Sequence, residues 1–140
     1  MPAGASDPRL RTLLDADFGS GTPATWYIGA LLALPGVDGT GYTEPSGGSY
    51  GRVAVTNNVT NWPAAATVAG VTSKANGVAY AHPNPTGDWG LVIGWGAFTV
   101  STGGVCQYSN LLDSSITVKS GLTPVQYDIG QLIIANARPS

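Results

Sequence analysis

The chain has 140 residues, enough for one core, and its single cysteine, Cys106, excludes an intrachain disulfide. Only 10% of the residues are charged, against about 25% in an average soluble domain. The net charge is −2 and the basic residues are scattered at Arg9, Arg11, Arg52, Lys74, Lys119 and Arg138, which excludes the basic stripe that a nucleic-acid backbone requires.

A surface of Gly, Ser, Thr, Asn and Ala in place of Lys and Glu is poorly protected against association, so much of it is expected to be covered in the working state. The opening MPAGASDPRL has neither the basic nor the apolar region of a secretory signal. The longest strongly apolar run, Ile28 to Leu34, is too short for membrane insertion. A lone cysteine fits a reducing compartment.

Ser6 to Gly19 reads as a helix, capped by Ser6 or Asp7, with Pro8 in its first turn and Gly19 as its stop. Leu10, Leu14 and Phe18 recur on one face, which makes the helix either an attachment surface for a neighbour or a lid on its own domain. Residues 1–19 are expected as a helical segment and 20–140 as one β-domain. Ala24 to Leu34 follows as a strand with Trp26 and Ile28 directed to the core. The glycine-rich stretch from Gly36 to Gly51 is then a long loop and a candidate contact surface, with Tyr42 and Tyr50 as its interface residues.

Arg52 to Asn58 alternates cleanly, with Val53 and Val55 inward. Trp62 precedes Pro63 and is biased to an extended conformation. Ala64 to Lys74 has no clear period. Gly77 to Ala81 is a short strand ended by His82-Pro83-Asn84-Pro85. Trp89 to Val100 is the central strand, uncharged and free of proline. With period two it directs Trp89, Leu91, Ile93 and Trp95 to one face, and Gly90, Gly94 and Gly96 to the other. Glycines on a strand face imply a close approach by another segment. Val105 to Leu112, Ser115 to Lys119 and Val125 to Asn136 complete seven or eight strands. The expected fold is an all-β antiparallel sandwich, jelly-roll-like, with a short N-terminal helix.

Candidate chemistry is sparse. One histidine cannot build a multi-histidine metal centre, and His82 beside a proline reads as a solvated or capping imidazole. No nucleophile elbow is present, and Ser46-Gly47-Gly48-Ser49 reads as a turn. Cys106, alternating with Val105 and Gln107, reads as a small buried residue rather than a reactive thiol. Within the long loop Asp38 and Glu44 flank DGTGYTE, where a glycosidase-type pair or a calcium site is conceivable, but the spacing does not match a calcium loop, and Gly39 and Gly41 with Glu44 make no dinucleotide fingerprint. No catalytic, cofactor or metal residue is assigned. The aromatic residues, Tyr42 and Tyr50 foremost, are the candidates for stacking on a host surface sugar.

SGGSYGRVAVTNNVTNWPAA, at Ser46 to Ala65, resembles short phage and prophage virion proteins of the tail-fibre type. The likeness runs through Ala75 to Val78, PNPTGDWG at Pro83 to Gly90 and GWGAF with the following TGG at Gly94 to Gly104, and includes the opening helix and TWYIGAL. Departures fall at Val68 to Ser73 and in the closing IIANARPS. The resemblance implies a β-sandwich component of a virion, assembled in the host cytoplasm, with no catalytic residues. Its partners would be other virion proteins of the tail or, alternatively, the capsid, and a homo-oligomer is expected, with a trimer first by analogy to fibres. A decoration protein on the head and a carbohydrate-binding module are the alternative roles.

Overall fold

Ser6, extended at φ −68° and ψ 161°, accepts the Arg9 N–H and starts helix α1 (Asp7–Asp17), in a computed structural model that describes residues 6–135. Pro8 sits where its missing N–H costs nothing, and Phe18 closes the helix by donating to the Leu14 carbonyl at 2.9 Å. Gly19, at φ +103°, then turns the chain away in a conformation that a side chain would strain. The ends of the two expected segments, 1–5 and 136–140, lie outside the described residues.

Among the described residues nine strands follow: β1 (Thr25–Leu31), β2 (Val53–Thr56), β3 (Ala66–Val68), β4 (Val71–Ala75), β5 (Tyr80–Ala81), β6 (Gly90–Phe98), β7 (Tyr108–Val118), β8 (Gln126–Tyr127) and β9 (Ile133–Ala135). Every pairing is antiparallel. They form a four-stranded sheet in the order β2-β1-β6-β7, a three-stranded sheet β3-β4-β9 and the pair β5-β8. The chain is thus an all-β antiparallel sandwich with one N-terminal helix, as its alternating runs predict.

The strand count exceeds the expected seven or eight for identifiable reasons. Ala64 to Lys74, without a legible period, is the hairpin β3–β4, whose turn places Ala69 and Gly70 both at positive φ. Val125 to Asn136 is two short strands separated at Gly130, and Asn136 lies outside the described residues. Val105 to Leu112 and Ser115 to Lys119 are one strand, β7, interrupted by a bulge rather than a turn.

One core joins the layers. Trp26, Ile28 and Ala30 of β1, Val55 of β2, Val92, Trp95 and Ala97 of β6 and Val118 of β7 pack with Leu14, Phe18, Trp62, Tyr127, Leu132 and Ile134. Each large apolar side chain buried in this way contributes about 1.5–3 kcal/mol relative to exposure. Phe18 stacks on Trp26 at a ring separation of 4.5 Å and meets Trp62 and Tyr108 edge-on. Leu14 and Phe18, expected as interface residues, are therefore core residues of their own domain. Leu10 is half-buried on the same helix.

The even alternation read along the central strand fails at Ile93. Pairing of β6 with β7 runs through Gly94↔Leu111 and resumes at Val92↔Ile116, so the bulge changes which residues point inward. Val92 enters the core at 0% exposure, whereas Leu91, expected there, is 50% exposed, and Ile93 is only half-buried. Trp89 and Trp95 are buried. Val53 is half-buried against the same core.

The opposite face of the sheet carries the glycines, and the chain itself fills it. A Cβ on Gly96 would lie 2.8 Å from Cys106 Sγ, one on Gly94 2.6 Å from the Asn110 carbonyl oxygen, and one on Gly29 2.8 Å from Glu44 Oε2. Leu31, Phe98 and Cys106 form a second, smaller core there, covered by Tyr27, Leu34 and Tyr42. The long loop lies across that face.

Candidate functional site

The densest polar cluster sits where this loop returns to the sheet. Leu32 N–H donates to the Thr43 carbonyl at 2.7 Å and Thr43 N–H to the Ala33 carbonyl at 3.2 Å, which folds the loop back over β1. Glu44 is thereby carried above Gly29, where any larger residue would collide with it. Arg52, just before β2, meets Glu44 through two oxygens, Nη2 to Oε1 at 2.6 Å and Nε to Oε2 at 3.0 Å. Its Nη1 donates to the carbonyls of Val100 at 2.8 Å and Gly103 at 2.9 Å, and the guanidinium stacks 3.5 Å from the centre of the Phe98 ring. One side chain thus ties the long loop, β2 and the β6–β7 connection together. Burial acts against the Arg52 cation, but the Glu44 carboxylate outweighs it and raises the pKa.

Tyr50 donates to Glu44 Oε2 and accepts the Ala30 N–H at 3.1 Å. That N–H lies beyond the last β1–β2 pair, Ile28↔Val53, so the phenol stands in for a missing strand partner. Burial, followed by the Glu44 carboxylate, pushes the Tyr50 pKa far up. Tyr50 stacks on His82 at 5.6 Å, and both meet Trp89 edge-on.

His82 is 3% exposed, so of the two expected roles, solvated or capping, the solvated one fails. Its Nδ1 lies 2.8 Å from the Gly51 carbonyl oxygen and its Nε2 2.7 Å from the Tyr127 hydroxyl. A carbonyl only accepts, so Nδ1 carries the proton and the lone pair on Nε2 accepts from Tyr127. Burial lowers the His82 pKa, against the opposing pulls of the Gly51 carbonyl and the Glu44 charge.

Every functional atom of Arg52, Glu44, Tyr50 and His82 named above is committed to a partner within the chain. Tyr42 likewise donates to the Gly104 carbonyl at 2.7 Å and lies edge-on to Phe98. Both tyrosine hydroxyls are thus bonded within the chain, while both rings stay half-exposed. Asp38 does not join Glu44: its Oδ1 accepts both the N–H and the hydroxyl of Thr40 at 3.1 and 2.8 Å, bonds that lower its pKa. Ser49 turns its hydroxyl to Thr86 at 2.7 Å. Cys106 lies in the connection before β7 rather than within a strand, and burial pushes its thiol pKa up to about 11. Among the described residues no group of three His, Cys, Asp or Glu stands close enough to hold a metal ion, and no helix is long and apolar enough to cross a membrane. An open groove of about 210 Å³ lies between Pro45 and Ser101–Gly103, floored by Tyr50 and Arg52.

A second polar cluster, invisible in the sequence, seats the helix. Lys74 is buried and donates to Asp15 Oδ1 at 2.7 Å and to the Phe18 carbonyl at the end of α1. Asn57 accepts the Gly19 N–H and donates to the carbonyls of Asp17 and Pro23 at 3.0 and 2.8 Å. Along β4 the polar residues Thr72 and Lys74 point inward, with Asn76 next in the alternation, while Val71 is 54% exposed. A period-two reading puts the polar set outside. Distant partners reverse it: Lys74 supplies a donor to the orphan Phe18 carbonyl at the helix end, Thr72 bonds the Thr67 hydroxyl, and Asn76 donates to the Val78 and Asp128 carbonyls.

Two clusters of internally satisfied polar side chains on a β-sandwich define a scaffold: they fix loops and a helix to sheets. A family described as Podophage GP4 fiber I protein gp80 matches residues 10–135. The chain belongs to this family, and it is a bacteriophage tail-fibre-type structural protein and a virion component. No curated protein matches it.

Proposed function

We propose that the chain is a compact, non-enzymatic module of the virion tail that works through protein–protein contacts with other virion proteins and with copies of itself. The observation that carries this reading is the family match across residues 10–135. The commitment of Arg52, Glu44, Tyr50 and His82 to one another and to backbone groups supports it, since these side chains serve cohesion rather than turnover. Assembly in the host cytoplasm follows from the same reading and suits a buried, unpaired Cys106.

The test is immunogold labelling of intact particles with an antibody raised to the purified chain. Gold at the tail supports the proposal. Gold spread over the head favours decoration of the capsid, and its absence from particles overturns the virion role. For the carbohydrate-binding alternative, glycan-array binding lost in Tyr42→Ala or Tyr50→Ala would be required.

A further inference from the structure

Strand β7 does not run evenly along β6. The pairing passes from Gly94↔Leu111 to Val92↔Ile116, so Leu112 to Ser115 stand opposite Ile93 alone and the strand bends there. Beside the bend lies an open groove of about 230 Å³, lined by Leu112, Asp113, Ser114 and Ile116 of β7, Gln126 of β8 and Gln131 of the turn before β9. Leu112 is half-buried against the main core and Ile116 is 40% exposed, which gives the groove an aliphatic patch.

The turn that carries Gln131 is held in place. Gly130 N–H donates to the Asn76 carbonyl at 3.0 Å, the Asn76 amide nitrogen donates to the Asp128 carbonyl at 3.0 Å, and Asn76 itself is 2% exposed. Asp128 N–H donates to Gln131 Oε1 at 2.8 Å. A backbone N–H only donates, so this bond fixes the amide oxygen and leaves the NH2 as the free end of Gln131. The Asp113 carboxylate, the Ser114 hydroxyl and the Gln126 amide have no hydrogen bond or ion pair among the described residues. Arg52, Glu44, Tyr50 and His82 are saturated by the chain itself, whereas these four side chains keep their bonding capacity.

The free groups select a ligand by their chemistry. An ionised carboxylate only accepts, so Asp113 works against phosphates and acids. The Gln131 NH2 only donates, and a bare cation has no use for it. Ser114 and Gln126 do both. A pair of adjacent hydroxyls answers this set, because each donates to one group and accepts from another. We propose that the groove binds one neutral sugar ring through two neighbouring hydroxyls, which donate to Asp113 and accept from Gln131. Ser114 and Gln126 complete the polar contact, and the C–H face of the ring covers Leu112 and Ile116, as apolar surface leaving water favours. The site shares no residue with the loop of Tyr42 and Tyr50. It does not rest on where in the virion the chain sits, so immunogold results leave it untouched.

Saturation-transfer NMR on the full chain tests it, with the methyl glycosides of glucose, galactose, mannose and N-acetylglucosamine as probes. At least one glycoside is expected to bind in the millimolar range, as a single ring on an open groove allows. Asp113→Ala should weaken that binding by about tenfold or more and Gln126→Ala by about threefold. Both side chains are exposed, so the melting temperatures of the two variants should match the wild type. Tyr42→Phe, outside the groove, should bind as the wild type does. Glycerol has adjacent hydroxyls but no ring to cover the aliphatic patch, and should bind about tenfold more weakly. Transfer to none of the four glycosides, binding indifferent to Asp113→Ala, or glycerol held as tightly as the glycosides would overturn the proposal. So would a preference for butylamine, which carries the aliphatic stem and ammonium of a lysine side chain, since the groove would then be a peptide site.

Discussion

Arg52 grips both carboxylate oxygens of Glu44 while its own side chain is only 2% exposed, and the carboxylate it holds lies directly over Gly29. The pair ties the long loop, which carries Glu44, to the start of β2. Removing one partner strands the other charge in a poorly hydrated place, and that cost dominates.

Arg52→Ala should therefore destabilise the chain by about 3–5 kcal/mol, the range for breaking a buried pair. Arg52→Lys should recover little, because an ammonium cannot reach Glu44, Val100 and Gly103 together. Replacing both residues, Arg52→Met with Glu44→Leu, should cost less than Arg52→Ala alone. Urea unfolding of the set orders these variants, and a double variant worse than the single one would contradict the argument.

His82 makes stability depend on pH in a defined direction. Its folded-state pKa lies below the ordinary 6.5, so folding favours the neutral ring. The contribution is complete above the unfolded pKa and is lost as pH falls from about 6.5 through the lower folded value. His82→Asn keeps a donor for the Gly51 carbonyl but cannot take up a proton. Its urea midpoint should be lower at neutral pH and flatter than the wild type between about pH 7.5 and 5. An equally steep decline in the variant would remove His82 from the account.

The glycine face predicts a graded series. Gly94→Ala places a methyl against the Asn110 carbonyl oxygen, which is backbone and cannot move aside, and should cost about 1–3 kcal/mol or more. Gly41→Ala meets no atom but sits at φ +82°, so about 1 kcal/mol of backbone strain is expected. Gly51→Ala meets neither obstacle and should be near neutral. Thermal melts of the three suffice.

The bulge predicts opposite outcomes at adjacent positions. Leu91→Asp should leave folding intact, since half of that side chain is in solvent, whereas Val92→Asp buries a charge at a 0% exposed site and should prevent folding. Circular dichroism of the two variants decides it. If Leu91→Asp unfolds and Val92→Asp does not, the register is wrong.

Lys74 and Asp15 should prove unequal although they are bonded. Lys74 has 2% of its side chain exposed and Asp15 43%, so Asp15→Asn leaves a buried ammonium without its counter-charge, whereas Lys74→Met leaves a hydrated carboxylate and only the Phe18 carbonyl unpaired. Lys74→Met should cost about 1–3 kcal/mol and Asp15→Asn more than that in urea unfolding.

What the sequence determined by itself was carried by local chemistry. Ser6, Pro8 and Gly19 delimit the helix, alternation marks Val55, Trp26 and Ile28 as inward, and Gly94 and Gly96 announce a close approach, because caps, side-chain period and a missing Cβ are properties of a few neighbouring residues. The tertiary structure alone decided what approaches those glycines, namely Cys106, Leu34 and the Asn110 carbonyl, and that the bulge opposite Val92 moves Leu91 outside. It also decided that Leu14 and Phe18 are core rather than contact, that Tyr42 and Tyr50 are tied inward, and that Lys74 points into the protein. Each of these depends on a partner far along the chain. Whether a polar group faces water or a buried carbonyl is set by which distant segment supplies that carbonyl, and no local pattern encodes it.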